Sequence, residues 1–162
     1  MRIRLRQLAF TSLLLVFAAG LHAAEDPFMG LWKINLNKSK YQSAPPISNT
    51  FKYEPAANAP PNSGWMKVTV TQVDAQGQPN THDRVETYDG KTHPVVNDPG
   101  AEAVLVKRVD PHTIQGSNWK KGKIVVRFTR VVSQDGNTLT TTVDGVNAQG
   151  KRYHDVRVFD KQ

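Results

Sequence analysis

The sequence predicts an all-β domain of about ten antiparallel strands that closes into an up-and-down barrel, preceded by a signal-peptide helix. After Asp26, apolar residues alternate with polar ones far more often than they recur at helical spacing. Turn-forming pairs such as Asp89-Gly90 and Gln149-Gly150 separate the alternating segments at the spacing of hairpins. Consecutive strands are therefore expected to pair antiparallel.

The N-terminus has the order of a secretory signal peptide. Three arginines precede a nearly unbroken apolar run over 8–19, which closes on small residues and meets Glu25. We predict cleavage after Ala23 or Ala24. The alternative is an uncleaved membrane anchor. The apolar run is short for that role, because a spanning helix needs about 20 apolar residues. We therefore expect a signal peptide over 1–24, a barrel domain over 25–162, and export to the periplasm or the extracellular space.

Composition narrows the class of protein. The 162 residues less the 24 of the signal leave about 138, which suits a single hydrophobic core. The sequence has no cysteine, so neither disulfides nor thiolate metal sites can support the fold. The net charge falls from +7 to +4 once the three signal arginines are removed, and the remaining basic residues are scattered. This pattern is not that of a nucleic-acid-binding surface.

The alternating segments give the strands and their inward faces. Strands are expected near 31–37, 50–55, 65–74, 79–88, 91–96, 102–109, 113–119, 123–133, 138–146 and 151–160. Their inward side chains include Trp32, Ile34, Leu36, Phe51, Tyr53, Met66, Val68, Val70, Ile124, Val126, Phe128 and Val132.

Two proline-rich stretches, 38–49 and 56–64, interrupt the strands and are expected to be loops. Ten antiparallel strands can bury their apolar face as a two-sheet sandwich or as a closed barrel. We favour the barrel because closure removes exposed edges. A barrel of this size is either filled by side chains or wide enough for one small ligand.

Both ends of the mature chain resemble the calycins, the superfamily of lipocalins and fatty-acid-binding proteins. Gly30-Leu31-Trp32 is similar to the Gly-x-Trp motif that opens their first strand, which implies a barrel-closing role for Gly30 and Trp32. Arg157-Val158-Phe159 is similar to the Arg-x-Tyr of the closing strand, with Phe159 in place of the tyrosine, and Arg130 resembles the second arginine of that anion site. Together with the export signal, the resemblance implies a lipocalin-like barrel similar to secreted bacterial members.

Arg130 shares the inward face of its strand with Val126 and Phe128, and an inward arginine needs a partner. One hypothesis is that Arg130 and Arg157 bind the acidic head of an amphipathic ligand. The apolar tail would then contact Ile34, Leu36, Tyr53, Met66, Val68, Val126, Phe128, Tyr153 and Phe159. The alternative is that the protein satisfies its own arginines, with Arg157 paired to Asp155 and one arginine stacked on Trp32.

Other motifs are weaker. The histidines lack the spacing of metal ligands, and we expect neither a metal nor a cofactor. Ser117-x-x-Lys120 lies in a predicted strand and is treated as chance. The sequence thus favours a non-enzymatic carrier of a small hydrophobic or amphipathic molecule over an interaction domain with a side-chain-filled barrel. An isomerase or dehydratase of a lipid-like substrate ranks third, since only Tyr153, Asp155 and His82 offer a titratable pair.

Overall fold

The computed structural model describes residues 26–57, 64–95, 98–147 and 149–162. The signal-peptide helix and the cleavage site predicted over 1–24 lie outside these residues. The described part is all-β, as predicted, and every strand bound falls within three residues of its predicted position. The ten strands are β1 (Gly30–Ile34), β2 (Ser48–Pro55), β3 (Met66–Val73), β4 (Pro79–Glu86), β5 (Asp89–Pro94), β6 (Ala103–Asp110), β7 (Thr113–Lys120), β8 (Lys123–Val132), β9 (Thr138–Val146) and β10 (Arg152–Lys161).

The strands form one antiparallel sheet that curls into a nearly closed barrel. Their order is β4-β3-β2-β1-β10-β9-β8-β7-β6-β5, so β1 joins the two ends of the chain by pairing with both β2 and β10. The sheet begins with β4 and ends with β5, which follow each other in sequence, and no ladder joins these two in the described residues. Beside this gap, side chains on β4 contact the loop between β5 and β6.

The end of the barrel where β1 and β9 begin, here called the lower half, is filled by side chains. Trp32 is fully buried and its indole Nε1 donates a hydrogen bond to the carbonyl of Phe28, 2.8 Å away. The core around it includes Tyr53, Met66, Val68, Val104, Val106, Ile114, Val132, Leu139 and Phe159, each at most 2% exposed. Burial of so many large side chains makes this half the main source of hydrophobic stabilisation.

The expectation that an arginine stacks on Trp32 is wrong. Lys161 lies there, with its Nζ 5.2 Å from the ring centroid, because β10 pairs its last residues with β1. A different arginine covers this end of the barrel. Arg108 lies 4.0 Å above the ring of Tyr88, contacts Phe28 and forms an ion pair with Asp26.

Gly30 opens β1 with a φ of 112°, a conformation that residues with a Cβ rarely adopt. A Cβ there would also lie 3.1 Å from Cε of Lys161. Glycine thus lets the chain turn into β1 directly beneath the lysine that covers Trp32, which gives a physical reason for the Gly-x-Trp pattern.

The first proline-rich loop, 35–47, continues alongside β10 beyond the end of β1 and is hydrogen-bonded to that strand. Lys40 and Val156 exchange two backbone hydrogen bonds, and the Ser39 hydroxyl accepts one from the Val158 amide. Leu36, expected to face inward, lies in this loop and is 40% exposed, because β1 ends at Ile34. The second loop is described only at its two ends. In the described part of the chain, no helix is long and apolar enough to span a bilayer.

Candidate functional site

The opposite end of the barrel, here called the upper half, contains a cavity of about 500 Å³ that opens to solvent. It lies between the β3–β4 turn, the β5–β6 loop and the upper ends of β7 to β10. Its apolar wall is formed by Phe51, Val70, Pro79, Pro99, Val126, Phe128 and Val143. Its polar wall is formed by Asn49, Gln72, Asp74, Gln78, Asn80, His82, Arg84, Asp98, Asn118, Arg130, Thr141, Tyr153 and Arg157.

Much of the polar wall comes from β4. Its even-numbered residues face inward because strand side chains alternate, and all of them are polar: Asn80, His82, Arg84 and Glu86. Arg84 and Glu86 are buried, whereas Val85 between them is 42% exposed. In this part of β4, therefore, charged side chains face the interior and an apolar side chain faces solvent, the reverse of the usual arrangement. Sequence analysis considered His82 but missed Arg84 and Glu86, although an Arg-x-Glu pair at period two was a usable signal.

Glu86 joins two of the inward arginines in a buried network. Its Oε1 lies 2.7 Å from Nε of Arg84, and its Oε2 lies 3.3 Å from Nη1 of Arg130. Arg130 also donates a 2.8 Å hydrogen bond to the Tyr53 hydroxyl. Burial raises the pKa of Tyr53 to about 12, so the hydroxyl stays protonated at neutral pH. The network separates the packed lower half from the cavity.

A second carboxylate reaches β4 from the β5–β6 loop. Oδ2 of Asp98 lies 3.4 Å from Nη1 of Arg84 and 3.5 Å from Nε2 of His82. Burial lowers the pKa of His82, and the nearby Asp98 only partly opposes that effect. His82 is therefore the neutral member of this cluster at pH 7.

On β10, Asp155 neutralises the third arginine and also holds the 35–47 loop against this strand. Its Oδ2 accepts a 2.9 Å hydrogen bond from Nη2 of Arg157, and its Oδ1 accepts bonds from the amides of Gln42 and Ser43. Burial alone would raise the pKa of Asp155, but the hydrogen bonds from Ser43 and Arg157 outweigh it and lower the pKa. The Arg157–Asp155 pair is the one that the alternative hypothesis anticipated.

Strand register brings the two candidate arginines to one level of the cavity. Thr141 of β9 is the partner of Arg130 on one side and of Arg157 on the other. The guanidinium of Arg130 lies 4.2 Å above the Phe128 ring, a cation–π contact. Two same-face positions higher, the ring of Tyr153 lies against Gly145, where an added Cβ would overlap the ring.

Comparisons with known proteins identify the architecture. No protein-family model matches the sequence, and no curated protein matches it. Solved structures do match. The chain aligns with the Schistosoma mansoni fatty acid binding protein in complex with arachidonic acid at a TM-score of 0.55 and 11% identity, over 84% of this chain and 96% of that one.

The barrel has the fold of the fatty-acid-binding proteins. As-p18, an extracellular fatty acid binding protein, aligns at a TM-score of 0.54 and 13% identity, over 85% of this chain and 97% of that one. A point mutant of the fluorescent protein UnaG aligns at a TM-score of 0.52 and 15% identity, over 84% of this chain and 96% of that one. At these identities the likeness establishes the fold, and the similarity to secreted bacterial lipocalin-like proteins stays a prediction.

Within this fatty-acid-binding-protein fold, the residues predicted to bind a ligand fall into two groups. Phe128, Arg130, Tyr153 and Arg157 line the cavity, together with Val126. Of the remaining predicted residues, Leu36 is exposed in the 35–47 loop, and the others are buried in the packed lower half: Ile34, Tyr53, Met66, Val68 and Phe159. The alternation of apolar and polar residues correctly placed both of these groups inside the barrel. It does not indicate at which level along the barrel axis the side-chain packing ends and the cavity begins.

Metal ligands do not gather in the part of the chain that the structure describes: no group of three His, Asp or Glu side chains there could hold an ion. Three of the described histidines instead pair with single carboxylates, His82 with Asp98 among them. His93 contacts Asp89 at 3.0 Å and His154 contacts Asp144 at 2.8 Å. Ser117 is buried, and its hydroxyl accepts a hydrogen bond from the indole of Trp119.

Proposed function

We propose that this protein is an exported carrier that binds one small amphipathic molecule in the upper half of its barrel. The observation that carries the proposal is the cavity of about 500 Å³, which lies within the range of roughly 300–1,000 Å³ typical of small-molecule sites. The alternative of an interaction domain required an interior full of side chains, and only the lower half is filled.

The walls of the cavity suit a molecule with an apolar body and a polar group. The apolar side chains form two register pairs, Phe51 with Val70 on β2 and β3, and Phe128 with Val143 on β8 and β9. Polar groups from β4, β7 and β10 complete the enclosure. Two of the structurally similar proteins are fatty acid binding proteins by name, one of them with arachidonic acid bound, which supports a ligand of this general kind.

A neutral dye and a pair of matched substitutions test the carrier function. Nile red should bind the protein, expressed from its full-length sequence, saturably and at one molecule per chain. Val143→Phe fills the cavity and should weaken binding by at least about tenfold, a loss of about 1.4 kcal/mol. Val146→Phe makes the same change on the outer side of the same strand, where the side chain is 44% exposed, and should leave binding unchanged.

Both variants should unfold near the wild-type temperature, which would separate a blocked site from a damaged fold. Absence of saturable dye binding in the wild type would refute the carrier function. Equal binding by the two variants would place the dye outside the cavity, with the same consequence.

Export is supported by the basic, apolar and small-residue order of the first 24 residues. The intact mass of the protein recovered from its exporting host tests it. We expect a chain that begins at Ala24 or Glu25. A full-length mass in the cell interior would refute export and leave the carrier function standing.

A further inference from the structure

The cavity holds three arginines, and each is already neutralised by the protein. Arg84 contacts Glu86 and Asp98, Arg130 contacts Glu86, and Arg157 contacts Asp155. The side chains of Glu86 and Asp155 have no exposed surface, and that of Asp98 is 7% exposed. The side chains of Arg84 and Arg130 are each 4% exposed, so their pairs are sheltered from solvent and weakly screened by salt, whereas the Arg157 side chain is 23% exposed.

The charges of the described residues around the cavity leave no surplus of positive charge. Three guanidinium groups face three carboxylates, and the carboxylate of Asp74 adds a fourth negative charge at the rim. Within the described ranges, the lining includes no lysine. His82 adds no positive charge at neutral pH because burial lowers its pKa. A ligand carboxylate would enter as one more anion among buried anions, and both its desolvation and their repulsion oppose binding.

Several buried polar atoms on the cavity wall have no hydrogen-bond partner among the described residues, and they include Nε of Arg130 and Nε of Arg157. Both atoms belong to guanidinium groups whose charge a buried carboxylate already balances. Three side-chain oxygens on the cavity wall are buried without a hydrogen-bond partner among the described residues: Oδ1 of Asn49, Oδ1 of Asn118 and Oγ1 of Thr141. Asn49 and Thr141 are at most 3% exposed. Buried polar atoms of this kind gain stability when a bound molecule satisfies them.

We infer that the cavity selects a ligand whose polar group is uncharged and forms hydrogen bonds, such as an alcohol or a primary amide, over one that ends in a carboxylate. This inference rests on the proposed carrier function and names its ligand class. It reverses the sequence-based hypothesis of an acidic head held by Arg130 and Arg157, because their carboxylate partners come from the chain itself.

Displacement of Nile red by two ligands with the same alkyl chain tests the inference. Dodecan-1-ol should displace the dye from the full-length protein at about tenfold lower concentration than dodecanoate at neutral pH. Dodecanamide should behave like the alcohol. Dodecanoate acting at an equal or lower concentration than the alcohol would overturn the inference while the carrier function stands. Failure of Nile red to bind would instead refute the carrier function.

A charge substitution then tests the cause. Asp98→Asn keeps the shape of the side chain but removes one of the two carboxylates beside Arg84, and with it one negative charge from the cavity. Dodecanoate should therefore bind about fivefold more tightly or better, with dodecan-1-ol changed by less than about twofold. Asp83→Asn is the matched control, since Asp83 lies on the outer face of β4 and pairs with Lys67 at 3.0 Å. Equal effects of the two variants on dodecanoate would overturn the electrostatic argument. If Asp98→Asn fails to fold, the wild-type comparison of alcohol with carboxylate decides alone.

Discussion

The two halves of the barrel interior are built on the same strands but serve opposite purposes. β8 passes through both: Val132 is buried against Leu139 in the lower half, and Val126 lines the cavity above. Arg130 lies between them, tied to Glu86 across the barrel. The lower half therefore stabilises the fold, and a layer of paired charges marks where close packing ends and an accessible interior begins.

The strongest way to break this arrangement is to remove the central carboxylate. Glu86→Ala leaves Arg84 and Arg130 buried with one fewer partner, and we expect unfolding free energy to fall by about 3–5 kcal/mol. Glu54→Ala is the control, because Glu54 is 40% exposed and its ion pair with Lys52 should contribute at most about 1 kcal/mol. Urea denaturation followed by tryptophan fluorescence measures both.

If Glu86→Ala does not fold, Glu86→Gln preserves the shape and should give a smaller but measurable loss. A loss no larger than that of Glu54→Ala would show that the layer of paired charges does not stabilise the fold.

A matched pair of valine truncations on β8 sharpens the comparison. Val132→Ala opens a space in the packed half and should cost about 2 kcal/mol, the transfer of two methyl groups plus a cavity term. Val126→Ala only widens a cavity that solvent already reaches, and should cost less than about 1 kcal/mol. Equal losses in urea denaturation would mean that the upper half is as tightly packed as the lower one.

The sequence contained enough information for the strands and for most of their inward faces. Alternation and turn pairs are local properties, so Trp32 and Phe128 could be placed inside the barrel without knowledge of their neighbours. The Arg157–Asp155 pair was also predictable because its members are two residues apart on one face. Local patterns of this kind were sufficient for the fold.

The charged wall of β4 was predictable only in part: Arg84 and Glu86 lie two residues apart on one face, a local signal that was overlooked, but the link to β8 is not local. Glu86 finds Arg130 across 44 positions of sequence, and only the closed barrel brings them together. Alternating hydrophobicity is also misleading in this strand, since Val85 faces outward and the charged residues face inward. The assumption that inward residues are apolar therefore predicts the fold correctly but does not identify the charged residues of the site.

The smallest expected effect concerns pH and the upper half alone. Burial lowers the pKa of His82 in the folded state below its usual 6.5, so the unfolded chain binds the proton more readily and stability falls as the pH drops below about 6.5. Asp155, with a lowered pKa, acts in a separate window: its contribution is present above about pH 4 and is lost only as the pH falls further. Denaturation midpoints between pH 7 and about pH 5 should therefore decline less in His82→Gln than in the wild type. Parallel declines in the two proteins would mean that His82 takes up a proton in the cavity as easily as in the unfolded chain, and that the upper half is wetter than its burial indicates.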